Sequence, residues 1–352
     1  MVQSIATASR SVLLAVLVSV PVLAGAQDAD LSARLQRATA LTSLNAIDQK
    51  PWHLKLDVTV FDDAGKNPRH GTIEVWRSGE DTRETGIFGA DTYTRLQHGE
   101  EVYWGSTGSA LPYRVSEILQ QVLHPGPTRD DLSSSTPTLH KVKLGKVPVD
   151  CIMLTQTVKG VDKLPLGLYP TFCLKADGDQ ILVTYNFGSR TVVIRSFGNF
   201  LDHVIPMQME IQDQSVVVAT SKIDALSTYK PQLDEFVPAP EMQRATANIA
   251  RIPGGVLAGN IITKVQPVYP ATARADHIGG TVVLHAIIGS DGHVYALRPI
   301  SSPYPDLTIS ALAAVRQWTY KPYLLNGNPV EVDTTITVNY NLNSSSLTRL
   351  TR

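Results

Sequence analysis

The sequence predicts an α+β protein in two β-rich parts. The first is an N-terminal curved antiparallel sheet or half-barrel with packed helices; the second is a small C-terminal β-β-α-β domain. Three observations carry this reading. Between Leu54 and Ile223, short segments alternate apolar and polar side chains, the period of a half-buried strand. Only a few stretches show the three-and-four spacing of a helix. Proline and glycine punctuate residues 238–256, and a length of 352 residues suits about two domains.

Composition excludes some classes. Lys and Arg number 31 against 32 Asp and Glu, a net charge of −1, which argues against a general polyanion binder. Charged residues are 18% and apolar residues 43%, unlike a disordered tail. The 24 Gly and 22 Pro suit a strand-rich chain with many turns. The balance hides an asymmetry: from residue 245 onward the net charge is 8 − 5 = +3, leaving −4 on the rest.

Taken in order, residues 1–26 read as a signal peptide. Arg10 gives the positive start, Ser11 to Leu23 an apolar run, and Ala24-Gly25-Ala26 a cleavage site. The alternative is an uncleaved inner-membrane anchor, but the 17 uncharged residues between Arg10 and Asp28 fall short of the roughly 20 that span a bilayer. The expected product is periplasmic or secreted, or anchored in the inner membrane if uncleaved. Leu31, Leu35, Ala38, Leu41, Leu44 and Ile47 then form one face of a helix that Pro51 ends.

Strands follow at Leu54–Phe61, Gly71–Trp76, Thr82–Phe88, Thr92–Leu96 and Glu101–Trp104. A helix from Tyr113 to Leu123 stops at His124-Pro-Gly126. Further strands are expected at Thr138–Leu144, Val149–Val158, Phe172–Lys175, Gln180–Phe187, Thr191–Phe197, Val204–Ile211 and Val216–Ile223. Cys151 and Cys173 are the only cysteines. They read as a disulfide stapling neighbouring strands; a redox pair is the alternative, without a C-x-x-C motif to support it. The order helix, meander, helix, meander over residues 28–236 resembles the LolA/LolB-like half-barrel fold. That resemblance implies a curved sheet able to hold a lipidic ligand; the alternative is a sheet whose apolar face is simply core.

Residues 238–254 read as a short linker, 255–342 as the second domain, and 343–352 as a flexible tail. The second domain contains Pro267-Val-Tyr-Pro270, Ile278-Gly-Gly-Thr-Val-Val-Leu284 and a hairpin turn at Asp291-Gly292. A helix from Pro305 to Trp318 leads into Tyr320-Lys-Pro322, and a last strand runs from Glu331 to Leu342. This order and spacing closely resemble the C-terminal domain of the TonB family. Trp318 and Tyr320 read as core residues. The resemblance implies capture of an extended segment of an outer-membrane transporter by strand addition. The backbone groups of Thr334, Thr335, Ile336, Thr337 and Val338 are the expected pairing site. The alternatives are that this edge pairs in a dimer, or with another part of the same chain.

No H-E-x-x-H, G-x-S-x-G or P-loop pattern occurs, so no catalytic residue is expected. His277, His285 and His293 match no metal-ligand spacing, and Asp62, Asp63, Asp177 and Asp179 read as turn residues. No cofactor, metal or nucleic acid is expected. The functional expectation is an exported, non-catalytic adaptor binding an envelope protein. The alternatives are a periplasmic carrier of a lipidic ligand, or a membrane-anchored energy transducer. The TonB pattern of transduction uses a retained anchor and a long Pro-rich spacer; here the leader looks cleavable and no such spacer is seen.

Overall fold

The computed structural model describes residues 22–47, 50–99, 101–108, 113–155, 164–186, 190–232, 234–245, 249–254, 258–325 and 328–342. Most of the expected leader therefore lies outside the described residues. Among those described, no helix is long and apolar enough to cross a membrane.

Helix α1 (Val22–Thr42) opens the described chain and includes the expected cleavage site. It stops earlier than its apolar stripe suggests, and a 3-10 turn at Leu44–Ala46 carries the pattern on. Leu31, Leu35 and Ala38 of the helix, with Leu44 and Ile47 beyond it, are buried. A meander follows: β1 (Trp52–Val60), β2 (Arg69–Ser78), β3 (Asp81–Phe88), β4 (Asp91–His98) and β5 (Glu101–Thr107). After α2 (Tyr113–Leu123) and the short α3 (Arg129–Ser133) comes a longer one. Its strands are β6 (Thr136–Leu144), β7 (Val147–Thr155), β8 (Thr171–Lys175), β9 (Ile181–Asn186), β10 (Arg190–Phe200), β11 (His203–Asp213) and β12 (Val216–Thr228).

The two meanders join where β1 pairs with β12, from Trp52 opposite Thr228 to Val60 opposite Ala219. Strand β13 (Gln243–Ala245) adds to β5, completing one curved antiparallel sheet of thirteen strands, with β13 and β6 at its ends. Helix α1 contacts β6, β9 and β11, while α2 contacts β1 and β12. Val115, Ile118, Leu119 and Val122 of α2 join Leu54, Leu56, Ile73, Ile205 and Ile211 in the main core. The apolar face of the sheet is thus occupied by the chain's own helices. Arg34 ties α1 to the sheet rim through Asp150 at 2.7 Å and Asp179 at 3.3 Å.

Cys151 and Cys173 sit opposite each other on β7 and β8 and form a disulfide. Closing this loop contributes ~3 kcal/mol by constraining the unfolded chain.

The small domain is built from β14 (Ile249–Arg251), β15 (Ile261–Thr263), α4 (Ala271–Ala275), β16 (Gly280–Ile288), β17 (Val294–Ser301) and α5 (Pro305–Val315). Strands β18 (Thr319–Tyr320), β19 (Leu324–Leu325), β20 (Asn328–Pro329) and β21 (Glu331–Tyr340) complete it. Its main sheet has the order β14-β21-β16-β17. Val282, Leu284, Ala286 and Ile288 face the core, as do Leu307, Ala311, Leu312 and Val315 of α5. Pro299 falls on β17, the edge strand, where a missing N–H costs no ladder bond.

Two expected ends differ. Helix α5 stops at Val315, and Gln317 and Trp318 bond back to Ala314 and Val315, tightening the turn that takes Trp318 into the core. Strand β21 ends at Tyr340, and Leu342 is exposed.

The two sheets are not independent. Met153, Leu168 and Tyr169, from the stretch around β7 and β8, belong to the core of the small domain. Arg316, just beyond α5, pairs with Asp213 at the end of β11, and Arg298 lies 3.7 Å from Asp131. Residues 238–254, read as a linker, supply β13 to the large sheet and β14 to the small one.

Candidate functional site

The candidate site is the outer side of β21. Its buried side chains, Val332, Thr334, Ile336, Val338 and Tyr340, face the core, as the alternation of the sequence requires. The strand is anchored at both ends. Tyr340 donates its hydroxyl hydrogen to the carbonyl of Leu307 at 3.1 Å and meets the Tyr269 ring edge-on at 5.5 Å. On the other face, the His285 Nε2 lies 2.8 Å from Asp333, and Thr281 donates to Asn339 at 2.9 Å.

Backbone groups of successive residues in a strand point to opposite sides. The Asp333 carbonyl accepts from the Ile252 N–H at 3.0 Å, on the side away from β16. By alternation, Thr335, Thr337 and Asn339 also point outward, and Thr334, Ile336 and Val338 point toward β16, with which they are in register. Of the five residues expected to pair with a partner, two therefore present backbone groups to the edge. Proline at Ile336 would break the ladder with β16 rather than the edge.

Part of that edge is occupied. β14 pairs with β21 in parallel, placing Ile249, Ala250 and Arg251 opposite Glu331, Val332 and Asp333. The Thr334 hydroxyl donates to the Ile252 carbonyl at 2.7 Å. Gly254 lies so close to Thr335 that an added Cβ would overlap the Thr335 carbonyl oxygen. Among the described residues, no strand pairs with β21 on this side beyond Asp333. Sequence reading missed β14 because three residues are too few to show a period.

Elsewhere on the domain, a groove of about 400 Å³ runs between Val265–Pro270 and α5, lined by Val268, Pro270, Ile309, Ala313 and Gln317. Trp318 and Tyr320 are buried, and the Trp318 indole N–H donates to the Val265 carbonyl at 2.8 Å. Burial pushes the Tyr320 hydroxyl up to about 12.

The remaining candidates serve local structure. Asp62 accepts from the Ala64 and Lys66 N–H groups and from Asn67, and the Lys66 bond leads in holding its carboxyl below the ordinary value. Asp63 pairs with Arg114, Asp177 with Lys175, and Asp179 with Arg34 and Arg37. The three histidines do not converge: His277 is exposed beside the Ala275 carbonyl, His285 pairs with Asp333, and His293 with Asp291. Among the described residues, no group of three or more His, Cys, Asp or Glu could hold a metal ion.

The Asp291 hydrogen bond raises the pKa of His293 above 6.5, opposed by burial; the charge of Asp63 also raises it, and that of Arg114 lowers it. A raised folded value favours the protonated ring. Its stabilisation is therefore complete below 6.5 and lost as pH rises through the folded value. The melting-temperature advantage of the native chain over His293→Gln is expected to be larger at pH ~5.5 than at pH ~8.5. Equal advantages at both would refute the linkage.

Residues 265–342 match the family described as Gram-negative bacterial TonB protein C-terminal, within the range expected from the sequence. Protein TonB of Vibrio cholerae serotype O1 is 37% identical over 71 residues, which are 20% of this chain and 29% of that protein. The chain thus spans less than a third of this relative's length. Two solved structures resemble the chain's fold. A DUF1329 family protein from Desulfovibrio piger has a TM-score of 0.40 and 12% identity, covering 62% of this chain and 98% of that one. A LolA superfamily protein from Nitrosomonas europaea has a TM-score of 0.39 and 10% identity, covering 59% of this chain and 97% of that one.

Proposed function

We propose that the chain is an exported, non-catalytic envelope adaptor whose small domain takes an extended peptide of a partner protein at the β21 edge. The observation that carries this is an edge strand with outward backbone groups at Thr337 and Asn339, in a domain that matches the TonB C-terminal family. Strand addition needs such groups: main-chain hydrogen bonds supply affinity, and side chains tune the choice of partner. An outer-membrane transporter is the partner class that the family match favours. In this reading residues 1–26 direct export, residues 27–237 form the body, and the adaptor domain begins near residue 255. A lipidic ligand is not part of the reading, because α1 and α2 would have to leave the sheet to admit one.

Thr337→Pro tests the proposal, since it removes an outward N–H while leaving the β16 ladder intact. The immobilised full chain is expected to retain an envelope protein that the variant retains at least ~10-fold less, the loss of a central ladder bond and its neighbours. The melting temperature should stay within a few degrees. Unchanged retention by a folded Thr337→Pro variant would sink the edge-pairing idea.

A further inference from the structure

We infer that the chain gates its own docking edge: residues 249–254 act as a built-in strand that must leave β21 before a partner peptide can pair along its full length. This rests on the reading that the edge takes a peptide, and adds how access to it is controlled.

The occupant is already seated as a ligand strand would be. It runs parallel to β21 through three register pairs, continues with the Ile252 N–H on the Asp333 carbonyl, and receives the Thr334 hydroxyl on the Ile252 carbonyl. It ends at Gly254, where the absence of a side chain lets the backbone press against the Thr335 carbonyl. A side chain there would meet the Thr335 carbonyl oxygen, so the segment or β21 would have to shift. Glycine at this point is a requirement of closure, and its backbone lies outside the left-handed region, so Ala introduces a clash without a conformational penalty.

The gate is also tethered. Three residues upstream of β14, β13 pairs with β5, placing Gln243, Arg244 and Ala245 opposite Trp104, Tyr103 and Val102, and Arg244 pairs with Glu101. A strand held this way competes at the high effective concentration of a short linker, against which a free peptide is at a disadvantage. Yet it covers only the Glu331 end of β21, leaving Thr337 and Asn339 as a place where an incoming strand can begin. Binding would then proceed by exchange, with the incoming peptide starting at the open end and displacing the tethered segment. The displaced segment remains fixed to the large sheet, so occupancy of the edge is transmitted to β13.

The experiment uses the full chain and, as probe, a synthetic peptide of residues 248–255 of its own sequence, so that it does not depend on knowing the natural partner. Gly254→Ala is expected to bind this peptide about tenfold more tightly than the native chain, because the competent state is no longer suppressed. Arg251→Cys with Asp333→Cys, oxidised across the paired positions, is expected to abolish binding. Hydrogen exchange should show the amides of Ile252 and Asp333 protected in the native chain and fast in Gly254→Ala. If Gly254→Ala does not fold, Thr334→Val removes only the hydroxyl bond to Ile252 and should shift affinity in the same direction. Equal affinity of native and opened chains, or exchange protection unchanged by Gly254→Ala, would overturn the gate. A failure of the envelope partner to bind would count against the proposed function and leave this result untouched.

Discussion

Trp318→Ala is expected to destabilise the small domain by about 3–5 kcal/mol, the usual loss when a buried tryptophan is truncated. Trp318 is only 5% exposed and sits just past α5, wedged into the core formed by β16, β21 and α5. Its indole N–H satisfies the Val265 carbonyl, which ties the segment before α4 to the end of α5. The Lys264 ammonium lies 5.2 Å from the ring centroid and gains from the π face. Truncation therefore leaves a cavity and strands a carbonyl at once. Trp318→Phe separates the two effects: it keeps most of the apolar volume and loses the hydrogen bond, which costs about 1 kcal/mol. Hydrogen exchange of the β16 amides across a denaturant series measures both. A loss below about 1 kcal/mol for the alanine variant would show that the residue is not the core anchor its burial indicates.

Much of the architecture was legible in the sequence, for a physical reason. A sheet covered on one face by helices imposes strict alternation, so β1, β2 and β16 could be read from side-chain pattern, and α2 from its three-and-four spacing. Where the pattern breaks, the reading falls short. Strand β10 continues past Phe197 to Phe200, but its register shifts at Ile194/Ser196 and Ser196/Phe197, and each bulge resets the period. The apolar stripe of α1 runs on through Leu44 and Ile47 because the 3-10 turn keeps both facing inward, so the helix looked longer than it is.

Of the candidate site, the strand and its inward face were readable, and so was the Asp291-Gly292 turn. There Gly292 takes a φ of +86° and its α-carbon faces the Tyr320 carbonyl too closely for a side chain. The occupant of the edge was not readable. Ile249-Ala-Arg251 is strand only because Glu331–Asp333 lies beside it, and Gln243-Arg-Ala245 only because β5 does. Nothing local encodes either, since the information lies in a distant partner. The same holds for the ion pairs between the two sheets, Arg316 with Asp213 and Arg298 with Asp131, whose partners lie more than a hundred residues apart in the chain.

The pair that joins the domains carries the second large effect. Asp213→Ala is expected to lower stability by about 3 kcal/mol, because it takes the paired carboxylate away from a nearly buried guanidinium. The Arg316 side chain is 6% exposed and that of Asp213 23%, so water screens this pair far less than the surface pairs. The cost comes mainly from keeping a desolvated guanidinium charged without this carboxylate rather than from a strong attraction lost. Asp213→Ala combined with Arg316→Met should therefore recover much of the stability, since an apolar side chain of similar length fills the same space without a charge. Urea unfolding of the three variants measures this; a double variant as unstable as Asp213→Ala would show that packing around Arg316, not its charge, is decisive. The pair also bears on the edge of β21. It holds the end of α5 to β11, and with it the small domain against the large sheet that anchors β13. Loosening that contact lengthens the effective tether of residues 249–254 and lowers their local concentration at the edge. Asp213→Ala should then raise binding of the 248–255 peptide in the same direction as Gly254→Ala, although it touches neither the peptide nor the strand.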